Sequence, residues 1–186
     1  MTEKLRTCPF CDEDDVDIEG KYFFCPAIPA RFILDKEKKA ITRPSKDEYY
    51  LSIAEAVLAR STCLRRKYGA VIVKDDEIIS TGYNGAPRGA ENCCDRGYCY
   101  RMIAKIPHGE RYEICASIHA EANAIISASR RDMLGSTLYL AGYEADGSPV
   151  EDIAPCSICQ RLILNAGIAA IVMRGVGGLP VRKEVN

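Results

Sequence analysis

The 186-residue chain is poor in histidine, in long apolar runs and in unbalanced charge. Histidine occurs only twice, as His108 and His119. Chemistry that needs a cluster of imidazoles is therefore excluded. Nowhere do 18 uninterrupted apolar residues occur, and the opening MTEKLRTCPF has no apolar core of the kind an export signal carries. These two absences predict a soluble, cytoplasmic protein with no membrane partner. Against 25 Lys and Arg stand 26 Asp and Glu, a formal net charge of -1, so the bulk electrostatic signal for nucleic acid is missing. A balanced total still leaves room for a local basic groove that faces an anionic ligand. There is no internal repeat and no low-complexity tract. With 47% apolar and 27% charged residues the composition is globular, and the length suits one domain with a small appendage.

Cysteine is what the chain has in quantity, ten in all. A disulfide framework and thiolates on metal are the competing explanations. The chain is large enough not to need staples, and its cysteines fall in clusters with ligand-like spacing, which favours metal or free thiols.

Residues 1–40 are turn-rich, acidic and cysteine-bearing without helical period, and read as an appendage to a main domain over 41–186. Ser45 and Glu48 make a capping-box pattern ahead of an apolar stripe, which predicts a helix over about residues 46–61. GAVIVKDDEIISTGYNG gives two β-rich runs around Asp75 and Asp76, an antiparallel hairpin. Residues 86–117 are loop-like, with four cysteines. IHAEANAIISASRR predicts a helix over 118–131 that stops at Gly135. STLYLAG then reads as a strand, APCSICQRLILNAG as loop plus helix, and IAAIVMR as a further strand. Strand, helix, strand at this spacing implies a right-handed parallel crossover, so the fold expected is a mixed α/β sheet flanked by helices.

The chemistry concentrates in IHAEANAI and PCSIC. Cys156 and Cys159 are three apart at a helix start, where both sulfurs share one face and the helix dipole favours thiolate. With His119 they make one nitrogen and two sulfur ligands for zinc, leaving a fourth tetrahedral position for water. Zinc lowers the pKa of such a water toward ~7, and Glu121, two residues beyond the histidine, is placed to take its proton and return it to a substrate nitrogen. H-x-E followed by P-C-x-x-C is a signature of zinc deaminases. Either motif alone has a plainer meaning. A lone C-x-x-C serves equally as a structural zinc knuckle or redox pair, and a lone H-A-E as a packed helix start with a surface carboxylate.

TCLRRKYGAVIV, IISTGYNGAPRG, IHAEANAI, STLYL and PCSIC…NAGIAAIV, spread over roughly residues 46–175, resemble the deoxycytidylate (dCMP) deaminases of the cytidine deaminase superfamily. The resemblance implies a three-layer α/β/α fold with a five-stranded sheet, a catalytic zinc, conversion of dCMP to dUMP, and a homo-oligomer. It also implies that water attacks C4 of cytosine while Glu121 protonates N3 and then the departing ammonia. Asn84 of GYNG would bond the sugar, although Asn-Gly after a strand is equally an ordinary turn. The Ala120 backbone N–H would meet the base carbonyl, and Arg66 and Lys67 the 5′-phosphate, their plainer reading being solvent-exposed charge. In several relatives GYNGAPRG also belongs to a regulatory site for dCTP and dTTP with Mg2+. Cys63, Cys93, Cys99 and Cys115 lie where the family carries a structural zinc, with Cys94 and His108 as alternative ligands and buried free thiols as the plainer reading.

Two departures from the family stand out. Cys8, Cys11 and Cys25 resemble most of a zinc ribbon, but Ile28 occupies the fourth cysteine's place, so an N-terminal site is either completed by a ligand from elsewhere such as Cys94, completed by an acid such as Asp12, or decayed. The segment AGYEADGSPVEDIA, 141–154, is longer than the usual link and predicts a reshaped pocket or a partner surface. The competing functions are deamination of another nucleoside, nucleotide, transfer-RNA base or pterin-like ring, and a non-catalytic zinc-binding module. Retention of Glu121 argues against the last.

Overall fold

In a computed structural model, which describes residues 5–7, 14–19, 22–25, 28–33, 43–107, 109–151 and 153–185, the chain forms two units, Met1–Arg43 and Pro44–Asn186. The smaller unit holds an antiparallel sheet of β1 (Leu5–Thr7), β2 (Asp14–Glu19), β3 (Tyr22–Cys25) and β4 (Ile28–Ile33), paired in that order. Residue-level reading sees only turns and cysteines there. Strands of three to six residues carry too few alternations to register as a period. Cys25 ends β3; Cys8 and Cys11, with Asp12 and His108, lie outside the described residues.

The larger unit opens on α1 (Lys46–Leu58), where Ser45 Oγ accepts from the Glu48 backbone N–H at 3.2 Å, as the capping pattern implies. The helix ends three residues short of the predicted 61, because Arg60 and Ser61 bond back to Val57 and Leu58 in a tightened last turn. β5 (Arg66–Lys74) and β6 (Glu77–Tyr83) form the expected hairpin. Asp75 and Asp76 both take positive φ, 49° and 69°, the backbone of a type I′ turn that short polar side chains tolerate.

The long loop contains two single turns of helix, α2 (Cys93–Arg96) and α3 (Tyr100–Ile103), and a 3₁₀ turn at Tyr112–Ile114. The helix predicted over 118–131 is two: α4 (Ala120–Ile126) and α5 (Arg130–Met133). Ser127 Oγ back-bonds to the Asn123 carbonyl, and Ser129 caps α5 by accepting from Asp132 N–H, so serine chemistry breaks a run that composition alone would continue. β7 (Thr137–Glu144), α6 (Ser157–Ala166) and β8 (Ala170–Arg174) make the parallel crossover, and β9 (Pro180–Glu184), too polar to show a strand period, pairs antiparallel with β8.

The sheet order is β6-β5-β7-β8-β9. Alternation along β5 and β7 then divides the core into layers. Val71, Val73, Tyr139 and Ala141 face α1 with Leu51 and Ala54. Ala70, Ile72, Leu138 and Leu140 face the other way, against Ala120 and Ala124 of α4 and Ile163 of α6. The fold is thus a three-layer α/β/α sandwich in which α4 and α6 share one face of the sheet.

Gly82 sets how closely α4 lies on that face. A Cβ there would overlap the Ala120 carbonyl and the Ala124 nitrogen, so only glycine lets the helix start rest directly on β6. Ser80 Oγ, donating to the Ala124 carbonyl at 2.8 Å, and Asn123 Nδ2, donating to the Tyr83 carbonyl at 2.7 Å, hold it there. Gly82→Ala is expected to cost about 1–3 kcal/mol of stability, read as a lower urea midpoint at unchanged slope. An unaltered midpoint would show that α4 can lift without penalty.

Candidate metal centre

Two helix starts converge at one end of the sheet. His119 is the N-cap of α4, in extended conformation at φ -71° and ψ 153°, and Glu121 sits in the first turn, 5% exposed. Cys156 is the N-cap of α6, its sulfur accepting from the Cys159 N–H at 3.5 Å, and Cys159 lies one turn on, 2% exposed. α4 and α6 pack on the same sheet face, so residues 37 and 40 apart in sequence meet there.

His119 Nδ1 is 3.4 Å from the sulfur of Cys156 and 3.4 Å from that of Cys159, and the three atoms lie within 4.8 Å of one another. Ligands at zinc's bond lengths in a tetrahedron stand about 3.5 Å apart, so the two nitrogen-to-sulfur separations match those of a zinc site. Cys63, Cys93, Cys94, Cys99, Cys115, Cys156 and Cys159 are all free thiols, which removes the disulfide reading for these seven.

Burial pushes the Glu121 carboxyl above the usual carboxylate range, with its own backbone N–H and the Cys159 thiol pulling partly back. Burial also pushes the Cys159 thiol far up, and the neighbouring Glu121 and Cys156 push it further. Without a cation the pocket thus disfavours negative charge. A dication would reverse this, stabilising both thiolates and the carboxylate beside them.

The centre opens into a cleft of about 470 Å³, within the size range of small-ligand sites. Arg65, Arg66, Asn84 and Ala120 line it. Lys67 does not, because β5 alternates: Arg66 and Tyr68 share one side of the strand and Lys67, exposed, takes the other. Arg66 is paired in a two-pronged bridge with Glu144, at 2.9 Å and 2.6 Å. Arg65 donates only to the Ile106 carbonyl, 3.0 Å away, and no ion pair holds it among the described residues. Sequence reasoning passed over Arg65, since nothing local distinguishes three consecutive cations until the strand's start is known.

Asn84 is 6% exposed and largely committed to the protein. Its Oδ1 accepts from Ser61 Oγ at 2.6 Å and the Tyr68 N–H at 2.8 Å, while Nδ2 donates one proton to the Arg66 carbonyl at 2.8 Å. One amide proton remains for a ligand. The cysteine-rich loop supplies Cys115 to the cleft and the link between α1 and β5 supplies Cys63, and the Cys93 thiol, raised first by burial, also feels Cys63, Cys99 and Cys115. The four thiols share a neighbourhood, but among the described residues only the His119 group has three ligand atoms drawn to metal separation. The segment 141–154 reaches the site as a wall: Val150 and Ile153 are buried in the core and line the cleft with Glu151. Arg101 and Tyr112, also unforeseen, complete the loop side; no periodicity marks a functional residue inside an irregular segment.

An α/β/α sandwich with one imidazole and two thiols at two helix starts, and a buried carboxyl beside them, defines the class of the zinc-dependent nucleotide-type deaminases. Residues 44–174 match the family model for the cytidine and deoxycytidylate deaminase zinc-binding region, and the chain belongs to that family. It is 41% identical over 138 residues to a deoxycytidylate deaminase of Mycobacterium phage D29, covering 71% of this chain and 96% of that one. With a deoxycytidylate deaminase of Schizosaccharomyces pombe it shares 35% identity over 130 residues, 70% of this chain and 37% of the relative. The crystal structure of a dCMP deaminase from the cyanophage S-TIM5 in apo form superposes with a TM-score of 0.51 at 28% identity, over 74% of this chain and 90% of that one. No helix among the described residues is long and apolar enough to cross a membrane.

Because burial holds the Cys159 thiol protonated in the metal-free pocket, its ligation must displace a proton. Apparent zinc affinity should therefore rise with pH across the neutral range, with at least one proton released per ion at this centre. Chelator competition at several pH values, together with pH-stat titration, measures both; a pH-independent affinity would contradict thiolate ligation.

Proposed function

We propose that the chain is a zinc-dependent hydrolase that converts dCMP and water to dUMP and ammonia. The observation that carries this reading is the placement of His119 Nδ1 and two cysteine sulfurs at ligand separation, with the buried Glu121 carboxyl beside them. The names of the similar proteins supply the substrate.

His119, Cys156 and Cys159 would hold zinc, whose Lewis acidity makes a water available for deprotonation near neutral pH. Glu121 takes one proton from that water and delivers it to N3 of the cytosine, then takes the remaining proton from the hydroxyl on C4 and delivers it to the leaving amine. Its raised proton affinity suits a group that must accept and release a proton twice in one turnover. The oxygen of water ends on C4 and the exocyclic nitrogen departs as ammonia. The Ala120 N–H, in the first turn of α4 where no intrahelical acceptor exists, faces the cleft as a donor to the base carbonyl. Asn84 Nδ2 has one proton left for a sugar hydroxyl.

For the 5′-phosphate the reading favours Arg65, with Arg66 assisting from its bridge to Glu144. Lys67, on the far side of the strand, is a solvent charge. The reading also takes in a second zinc among Cys63, Cys93, Cys99 and Cys115, which requires those sulfurs to close in on an ion. Response to deoxynucleoside triphosphates with Mg2+ at GYNGAPRG and a homo-oligomeric state follow from the resemblance. Free thiols at the seven cysteines of the larger unit agree with a reducing, cytoplasmic setting.

Ammonia release over dCMP, CMP, deoxycytidine, dCTP and adenosine nucleotides tests the substrate. Glu121→Gln should lower kcat on dCMP by about 10²- to 10⁴-fold while zinc content is kept. Retained turnover would overturn the mechanism, and preference for another base would overturn the substrate. Two zinc ions per chain would support the second site; one would remove it. Separately, Arg65→Gln should raise KM for dCMP, with little change in kcat and little effect on deoxycytidine, whereas Lys67→Gln should leave both constants near wild type. Equal effects of the two variants would reject the assignment.

A further inference from the structure

The cysteine-rich loop reaches the metal centre through two side chains for which the deamination chemistry has no use. Tyr112, in the 3₁₀ turn, meets the His119 imidazole edge to face, with ring centroids 4.9 Å apart and planes at 76°. Behind it the Arg101 guanidinium lies over the Tyr112 ring, 4.9 Å from its centroid. Arg101 is 6% exposed and has no ion pair among the described residues. One of its terminal nitrogens donates to the carbonyls of Pro107 at 2.8 Å and Glu110 at 2.5 Å, which pins the chain on either side of His108. Its Nε is buried and has no hydrogen-bond partner among the described residues.

A buried cation with an unspent donor is costly, and substrate cannot recover the cost at an Nε sealed from the cleft. Its charge instead meets two carbonyl oxygens and the π face of a tyrosine, an arrangement that fixes where the tyrosine ring stands. A packed ring against the imidazole, in turn, restricts rotation about the side-chain bonds of His119. That restriction matters because a histidine has two nitrogens, and here only Nδ1 is turned toward the sulfurs of Cys156 and Cys159.

We propose that Tyr112, held in place by Arg101, is a positioning residue that aims Nδ1 of His119 at the metal. The long loop is then a brace for the centre, in addition to a wall of the cleft. This rests on the reading of His119 as a zinc ligand, and it concerns how tightly and in what geometry the metal is held.

The test uses the full chain, stripped of metal and reloaded, with zinc affinity measured by chelator competition and ligand geometry by the ligand-field spectrum of the Co2+-substituted protein. Tyr112→Phe keeps the ring and should match wild type in both. Tyr112→Leu should weaken zinc binding about 10- to 100-fold, as loss of an outer-sphere partner does, and should shift the Co2+ bands. A merely structural role would lower thermal stability and leave the Co2+ spectrum of the folded protein unchanged. Wild-type affinity and spectrum in folded Tyr112→Leu would overturn the proposal. If that variant does not fold, Arg101→Lys decides, since it keeps a cation over the ring but loses the planar fork that spans the two carbonyls. It should show a several-fold loss of affinity with a shifted spectrum, and wild-type values in it would equally overturn the proposal. Should the unmutated chain bind zinc with no dependence on His119, the metal-ligand reading itself would fail, an outcome distinct from either of these.

Discussion

One convergence governs the larger unit: a nitrogen from the start of α4 and two sulfurs from the start of α6, each sulfur 3.4 Å from the nitrogen. Three such atoms do not gather by themselves. A buried thiolate and a buried carboxylate side by side are disfavoured without a cation, and the raised proton affinities of Cys159 and Glu121 express that cost. Much of the surrounding structure reads as a means of holding the two helix starts together. Gly82 lets α4 rest on β6, Asn123 and Ser80 tie it to the strand, and Ile163 anchors α6 on the same apolar face.

The cleft beside the centre combines one strand end, one long loop and one insertion. Asn84 fastens the strand side at its base, bonding Ser61, Arg66 and Tyr68 at once. Positive charge in the cleft is graded by its partners among the described residues: Arg66 is matched by Glu144, whereas Arg65 is held by a carbonyl. The segment 141–154 is fastened by buried Val150 and Ile153 and by backbone bonds from Val150 N–H to the Gly142 carbonyl and from Glu144 N–H to that of Ser148. It is a fixed wall, and it brings a carboxylate, Glu151, to the edge of the substrate space.

Regular elements with strong local signals were legible before any coordinates. The Ser45 cap, the hairpin about Asp75 and Asp76, and the strand-helix-strand crossover all follow from short-range chemistry. Where competing local bonds intervened, legibility failed: Ser127 and Ser129 divide one expected helix, and the polar β9 has no alternation to betray it. The choice between Arg66 and Lys67 turned on a single residue of strand register, which moves a side chain to the opposite face of the sheet, while Arg65 enters the cleft from the link just before β5.

Sequence by itself determined the donor types, the two-residue step from His119 to Glu121 and the three-residue step from Cys156 to Cys159, because helical geometry over one turn is local and nearly invariant. Tertiary structure alone decided that the two motifs meet, which arginine enters the cleft, that Asn84 is mostly spent on the protein, and that Tyr112 and Arg101 stand behind the imidazole. Each of these depends on contacts between segments distant along the chain, set by how helices and loop pack on a common sheet, and no spacing within a single segment encodes them.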